Sequence, residues 1–367
     1  MKILLSVRGY DSPRSHAVGN FELDQAKALR DAGHDVRLAA IDTRSIRHRR
    51  RWGVYTYELE GIPVWYASVP VGRLPGKPGQ LLRVNNAEML WKSIERSGWR
   101  PDIVHAHFGS TLLPYAREKG IATIYTEHSS HRNRILPAEK ARQLREIYES
   151  CDAVVAVSRS LADVIKQNTG ISARVISNCA DCSLFSVPRR KHDGFRFVFA
   201  GNLIPSKRAD LVLEAMSQIK EDCELVIFGS GAEEEMLRRR AAQLPDGKTV
   251  VFRGRCDRSE LAKTYSESDC FVLPSDRETF GVAFVEAMAA GLPVIATRCG
   301  GPEDFVTPET GRMIPTDDTA ALTDVMEWML HNAGQYDPVA ITEYVHSRFS
   351  PEIIASQLTG VYEEVLK

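Results

Sequence analysis

Short runs of aliphatic and β-branched residues alternate with segments of helical period along the chain, and the alternation starts twice. In the first half the strand-like runs are Lys2–Val7, Asp35–Ile41, Asp102–Phe108, Ile121–Glu127, Ala153–Val157 and Ala173–Ser177. Val54–Val69 reads as a hairpin turning at Glu60-Gly61-Ile62-Pro63. A helix is expected from Asn20, a suitable N-cap, to Gly33, a suitable C-cap. After the polar stretch Pro188–Gly194 the rhythm resumes with Phe195–Ala200, Glu224–Phe228, Thr249–Arg253, Cys270–Pro274 and Pro293–Thr297. Strands alternating with helices predict parallel, doubly wound α/β sheets. Two such sheets imply an N-terminal domain over 1–183 and a C-terminal domain over 184–349. Open α/β sheets bind ligands beyond the carboxyl ends of their strands, so functional residues are sought just after strands.

A length of 367 residues suits two domains, and 43% hydrophobic with 26% charged residues is a globular composition. No run of about 20 apolar residues is present to span a membrane. Met1–Val7 reads as a first strand, too short for a signal peptide. Seven cysteines, an odd number scattered through apolar runs, suggest reduced thiols and a cytoplasmic setting. The net charge of −1 conceals an asymmetry: residues 1–185 hold 27 basic and 19 acidic residues, net +8, and residues 186–367 hold 20 and 29, net −9. Two bodies with different tasks are expected.

The strongest chemical signal runs from Pro274 to Ala296. A strand ends at Pro274, a polar loop carries Glu278, and a helix opens near Gly281 and closes at Gly291. The backbone N–H groups of Phe280, Gly281 and Val282 at that helix start suit a diphosphate. Glu278 stands where it could accept hydrogen bonds from sugar hydroxyls. Glu286, eight residues on and flanked by Phe284, Val285, Ala287 and Met288, could hold a second group of hydroxyls such as those of a ribose. Each glutamate alone also fits a solvated helix position.

This segment resembles the Glu-x7-Glu signature of the retaining GT-B glycosyltransferases of family 4, with its flanking Phe-Gly, Glu-Ala-Met-Ala and Gly-Leu-Pro-Val-Ile-Ala-Thr. The resemblance extends along nearly the whole chain. It implies two Rossmann-like domains facing across a cleft, with the helix at 350–367 packing back on the first. Gly201-Asn202-Leu203-Ile204-Pro205-Ser206-Lys207-Arg208 resembles the family loop whose Arg and Lys hold the donor diphosphate. Lys207 matches; Asn202 stands where Arg is usual and Arg208 where Gly is usual, so Arg208 is the candidate second cation. Glu224–Phe228 followed by Gly229-Ser230-Gly231 resembles half a dinucleotide fingerprint, but position 234 is Glu where a third glycine belongs. Gly254 and Arg255, after the next strand, are candidates to frame the base. Gly19 is a candidate to approach the phosphates.

In the first half, His128 matches the family's active-site histidine, which contacts the transferred sugar. His107 ends a neighbouring strand. His105 is expected as a packed strand residue, and His105-x-His107 lacks the Cys or carboxylate partners of a zinc site. Cys179-x-x-Cys182 lies in the segment between the halves and reads as coincidental spacing. The resemblance implies metal-independent, retaining transfer of a sugar from a UDP or GDP donor to a carbohydrate or lipid-linked acceptor. Polysaccharide or glycolipid biosynthesis is the expected setting, without a cofactor and without nucleic acid. A GT-B epimerase or hydrolase, or a non-catalytic nucleotide-sugar-binding subunit, are the alternatives. Arg44–Trp52, with five arginines and a tryptophan, together with Arg73, Lys77, Leu81, Leu82, Arg83 and Trp91, is either a solvated loop, a site for a charged soluble acceptor, or a candidate contact with an anionic membrane at the inner face of the cell.

Overall fold

The computed structural model describes residues 1–8, 20–43, 51–69, 72, 76–107, 109 and 111–367. Gly19, Arg44–Arg50 and Arg73 lie outside the described residues, as do the side chains of Lys77 and Arg83.

The chain divides into two compact units, Met1–Cys179 with Pro351–Lys367, and Ala180–Ser350. The first contains β1 (Lys2–Arg8), α1 (Asn20–Asp31), β2 (Asp35–Asp42), β3 (Gly53–Leu59), β4 (Ile62–Ser68), α2 (Gly76–Arg96), β5 (Ile103–His107), α3 (Leu113–Glu118), β6 (Ala122–Glu127), α4 (Ala138–Glu149), β7 (Ala153–Ala156), α5 (Arg159–Thr169) and β8 (Arg174–Val175). The second contains α6 (Cys182–Phe185), β9 (Arg196–Ala200), α7 (Ala209–Gln218), β10 (Cys223–Phe228), α8 (Glu234–Ala241), β11 (Lys248–Gly254), α9 (Arg258–Ser266), β12 (Cys270–Leu273), α10 (Val282–Ala289), β13 (Val294–Thr297), β14 (Gly311–Ile314), α11 (Thr319–Asn332) and α12 (Pro338–Phe349). The chain then returns to the first unit as α13 (Pro351–Val365).

The first sheet has the order β3-β4-β2-β1-β5-β6-β7-β8, parallel except for the β3–β4 hairpin. The second is β11-β10-β9-β12-β13-β14, wholly parallel. In each, the strand that opens the unit lies centrally, and the winding reverses beside it. The reversal falls between β1 and β5 in one sheet and between β9 and β12 in the other. Loops leaving such a pair of strands diverge to opposite faces and open a crevice.

Local chemistry explains the elements. The parallel strands are buried on both faces, as β1 (Ile3, Leu4, Leu5) and β12 (Cys270, Phe271, Val272) show, so they read as continuous apolar runs. Ser158 caps α5 through the Leu161 N–H, and Gly170 ends it in the left-handed conformation. Asp257 and Asp318 cap α9 and α11 in the same way. Helix α13 is held by apolar burial: Ile354, Ala355, Leu358, Val361 and Tyr362 share a core with Ile3, Leu5, Leu38 and Ile103. β14 was absent from the strands expected above. Its four residues are too few to show a period, and it exists because it pairs with β13.

Candidate active site

In the second unit, the loops leaving β9 and β12 meet. The β9 loop makes a 3-10 turn at Pro205–Lys207, and the Lys207 ammonium lies 2.5 Å from Glu278 Oε1. The same oxygen accepts a hydrogen bond from the Ser275 hydroxyl at 2.8 Å, and Ser275 is fully buried. Glu278 is only 8% exposed, so it is not the solvated loop residue that its sequence position alone would allow. Its backbone is fixed as well. The Glu278 N–H donates to the Cys299 carbonyl, and the Gly301 N–H donates to the Glu278 carbonyl. These bonds form a short parallel bridge to the loop after β13. A side chain at Gly301 would place its Cβ 2.4 Å from the Phe280 backbone, so only glycine permits this approach. Phe280 anchors the loop from below, its ring 5.3 Å from Phe305 and 5.5 Å from Phe349. Gly281, in left-handed backbone, caps α10, which begins at Val282.

Glu286 projects from α10 and is also 8% exposed. Arg258, the first residue of α9, lies 3.0 Å from Glu286 Oε1 and sits over the Phe185 ring. Gly254 and Arg255 come together with the β10 turn. The Gly229 N–H donates to the Gly254 carbonyl, and Arg255 Nε donates to the Ser230 hydroxyl at 2.7 Å. A Cβ on Gly229 would sit 1.8 Å from the Gly201 carbonyl oxygen, so this glycine lets the β10 turn lie against the β9 loop. That close packing, without a third glycine, accounts for the partial fingerprint. Asn202 is exposed in the β9 loop. Arg208 contacts Asp210, Asp276 and Asp317, so its guanidinium is engaged by carboxylates of its own unit.

In the first unit, the strand ends bring together buried, neutral groups. His107 Nδ1 and His128 Nε2 are 2.8 Å apart, and the Gln25 amide nitrogen is 3.3 Å from His107 Nε2. With the amide donating, His107 carries its proton on Nδ1 and donates to His128 Nε2. Burial drives the pKa of His107 down to about 3 and holds that of His128 well below the usual histidine range. Both rings are therefore neutral hydrogen-bonding groups at pH 7. Glu127 staples the turn that carries His128. It accepts from the His128 and Ser129 N–H groups, from Arg132 at 2.7 Å and from the Tyr148 hydroxyl at 2.7 Å. Glu22, on α1, accepts from the Arg8 N–H, and burial raises its pKa to about 7.

His105 is a packed strand residue, bonded to Tyr362 and Thr126 through its two ring nitrogens. Among the described residues no three His, Cys, Asp or Glu side chains gather in a way that could hold a metal ion. Cys179 and Cys182 are both buried, and the division between the units falls directly after Cys179. Among the described residues no helix is long and apolar enough to cross a membrane. Trp52 is 52% exposed and Arg51 lies over the Tyr55 ring, while the rest of the basic stretch lies outside the described residues.

Arg258, Glu127, Ser275 and the Cys299–Gly301 loop escaped the sequence reading. Only the last carried a local signal: Gly300-Gly301-Pro302 is separated from the end of a strand by two residues.

Residues 18–184 match the family described as Glycosyltransferase Family 4, and residues 183–344 match Glycosyl transferases group 1. A GDP-mannose-dependent alpha-mannosyltransferase of Mycobacterium tuberculosis is 28% identical over 96% of this chain and 94% of its own length. The GDP-mannose-dependent monoacylated alpha-(1-6)-phosphatidylinositol monomannoside mannosyltransferase of Corynebacterium glutamicum is 32% identical, over 44% of this chain and 45% of its own length. The match thus spans less than half of that relative. Among solved structures, sucrose-phosphate synthase from Thermosynechococcus elongatus superposes with a TM-score of 0.78 at 21% identity, covering 99% of this chain and 98% of that one. An Anabaena protein solved with UDP and glucose gives 0.74 at 19% identity, covering 99% and 100%. With one match on each parallel-sheet unit and GT-B neighbours along the full length, the chain belongs to the GT-B glycosyltransferases of family 4.

Proposed function

We propose that this chain transfers a sugar from a nucleoside diphosphate donor to a hydroxyl acceptor with retention of anomeric configuration. One observation carries the reading: Lys207 and Glu278 meet at the reversal of the second sheet, with Ser275 fixing the carboxylate and Glu286 on the second turn of the following helix, α10. Lys207 would offset the charge that grows on the leaving diphosphate, together with the N–H groups of Phe280, Gly281 and Val282. Glu278 would accept hydrogen bonds from the sugar, and Glu286 from the ribose. Gly254, Arg255 and Asn202 would border the nucleotide. His128 would act as a neutral group toward the transferred sugar, and Gly19 would approach the phosphates. The leaving group is stabilised by protein groups in this scheme, so no divalent ion or cofactor is required.

GDP-mannose is the first donor to test, because several relatives carry it in their names. A glycolipid acceptor is suggested by one of those names, which specifies a monoacylated phosphatidylinositol monomannoside, and a polysaccharide acceptor by a glycogen synthase among the relatives. The Arg44–Trp52 stretch would then favour an anionic surface bearing a lipid-linked acceptor. Liposome sedimentation across a salt series, with Arg47, Arg49, Arg50 and Arg51 changed to Ser, tests that contact.

The function is tested by thermal stabilisation against UDP- and GDP-sugars, followed by transfer assays with the stabilising donor. A ligand at about 100 times its dissociation constant adds about 2.7 kcal/mol. Stabilisation by one donor class and an α-linked product from an α-linked donor support the reading. A product of inverted configuration, or conversion of the donor with no acceptor dependence, would reject it.

A further inference from the structure

The loops that carry Lys207 and Glu278 are joined a second time, one residue away. Arg208 Nη1 lies 3.3 Å from Asp276 Oδ1 and 2.5 Å from Asp317 Oδ1, while its Nε lies 3.2 Å from Asp210 Oδ1. The Asp276 N–H also donates to the Ser206 carbonyl at 2.9 Å. We propose that Arg208 is a positioning residue, a clamp that holds the Lys207 loop and the Glu278 loop in register through Asp276, Asp210 and Asp317, and is not a cation for the donor diphosphate. The consequence for transfer rests on the proposed roles of Lys207 and Glu278.

Three observations converge on this assignment. Charge is the first. One guanidinium with three carboxylates forms a group of net charge −2, which repels a diphosphate. Backbone is the second. Arg208 has φ 51° and Asp317 has φ 58°, left-handed values that L side chains rarely adopt. Among the described residues only three non-glycine residues have positive φ, and two of them are bonded to each other here. Conformations of this kind persist when surrounding contacts over-determine them, and they cluster where a site must be held. Geometry is the third. The planar guanidinium presents several N–H donors in a fixed fork, so one side chain can bind the start of α7 and two loops at once, which an ammonium cannot do as rigidly. The Arg208 side chain is 18% exposed and Asp210 21%, which limits screening; Asp317, at 73%, is the most weakly held member.

The test compares Arg208→Gly, Arg208→Lys and the double variant Asp276→Asn with Asp317→Asn. Glycine adopts φ 51° without strain, so Arg208→Gly removes the ion pairs without endangering the fold. Hydrogen exchange of the 274–281 amides is measured on the ligand-free chain, with UDP and GDP affinity by calorimetry and kcat for transfer alongside. All three variants should speed exchange in 274–281 by about tenfold, the size expected for lost charge-assisted hydrogen bonds. They should lower kcat together and leave nucleoside diphosphate affinity within about twofold. Unchanged exchange in Arg208→Gly would overturn the clamp. So would tighter diphosphate binding by the Asn double variant coupled with weaker binding by Arg208→Gly, the pattern of a cation released from its carboxylates. If the unaltered chain binds neither UDP nor GDP, the donor-site reading fails, and the exchange measurement still decides the clamp.

Discussion

The two sheets wind in the same sense and reverse at equivalent places, yet their strand ends carry opposite chemistry. At the β9/β12 reversal the side chains are charged and held in pairs: Lys207 with Glu278, and nearby Arg258 with Glu286. At the ends of β5 and β6 the rings of His107 and His128 are buried, neutral and bonded in a chain to Gln25. The comparison separates two contributions. The winding decides where a site can open, and the residues on the loops decide which charge it receives. A diphosphate suits the charged end, where carboxylates keep the lysine in place. The other end offers neutral hydrogen-bonding groups.

The sharpest way to break the comparison is to remove the charged pair. Glu278→Ala should lower kcat by about 100-fold or more, the scale of losing a group aimed at the transition state. It should leave nucleoside diphosphate binding intact, because Lys207 remains. Lys207→Ala should lower kcat and also raise the donor KM, since negative charge grows on the departing diphosphate. Steady-state kinetics with calorimetry checks both, and near-native turnover in Glu278→Ala would remove the charged end from the chemistry.

The neutral end is tested by pH. Burial raises the Glu22 pKa from its ordinary 4.5 to about 7, so folding takes up a proton between those values. The first unit should keep its full stability from this group below about pH 4.5 and lose it as pH rises through 7, by at most about 3 kcal/mol. Glu22→Gln should flatten that slope, with a higher unfolding temperature than the native chain at pH 8 and little difference at pH 4.5. Parallel slopes in the two proteins would show that Glu22 is ionised without cost.

Smaller effects sharpen the division of labour inside the charged end. Glu286→Ala should weaken nucleotide binding by about 1–3 kcal/mol with kcat less affected, as expected for lost hydrogen bonds away from the reacting atoms. Arg258→Ala should act in the same direction, because it leaves the buried Glu286 carboxylate without its ion pair. A fall in kcat at unchanged binding would move Glu286 to the reacting centre. The smallest expected effect is that of EDTA, which should leave transfer rates within about twofold when Lys207 and backbone N–H groups stabilise the leaving group. A strict requirement for a divalent ion would end that assignment.

Much was legible because it is local. Each parallel strand is a continuous apolar run, and each strand-to-helix passage is marked by residues close in sequence. The loop position of Glu278 and the helix position of Glu286 are marked by the residues between them, with Gly281 at the start of α10. Less legible was what each charged residue touches. Glu278 could be read as solvated, Glu286 less readily because of its apolar neighbours, and only packing shows both at 8% exposure. Arg258 is 28 residues from Glu286 and Arg208 is 109 from Asp317, distances over which no period or cap links one residue to the other.

The sequence by itself determined two α/β units, their strand-end loops and the residue types placed on them, because helix caps, strand runs and glycine turns act over a few residues. Only the tertiary structure decided the partners. β14 exists because β13 is beside it, Gly301 is glycine because the Phe280 backbone lies against it, and Arg208 faces the carboxylates of Asp276 and Asp317 on two distant loops as well as that of Asp210 beside it on α7. Those choices depend on which distant segments the winding of the sheet brings within contact, and the strength of an ion pair depends on the water excluded around it.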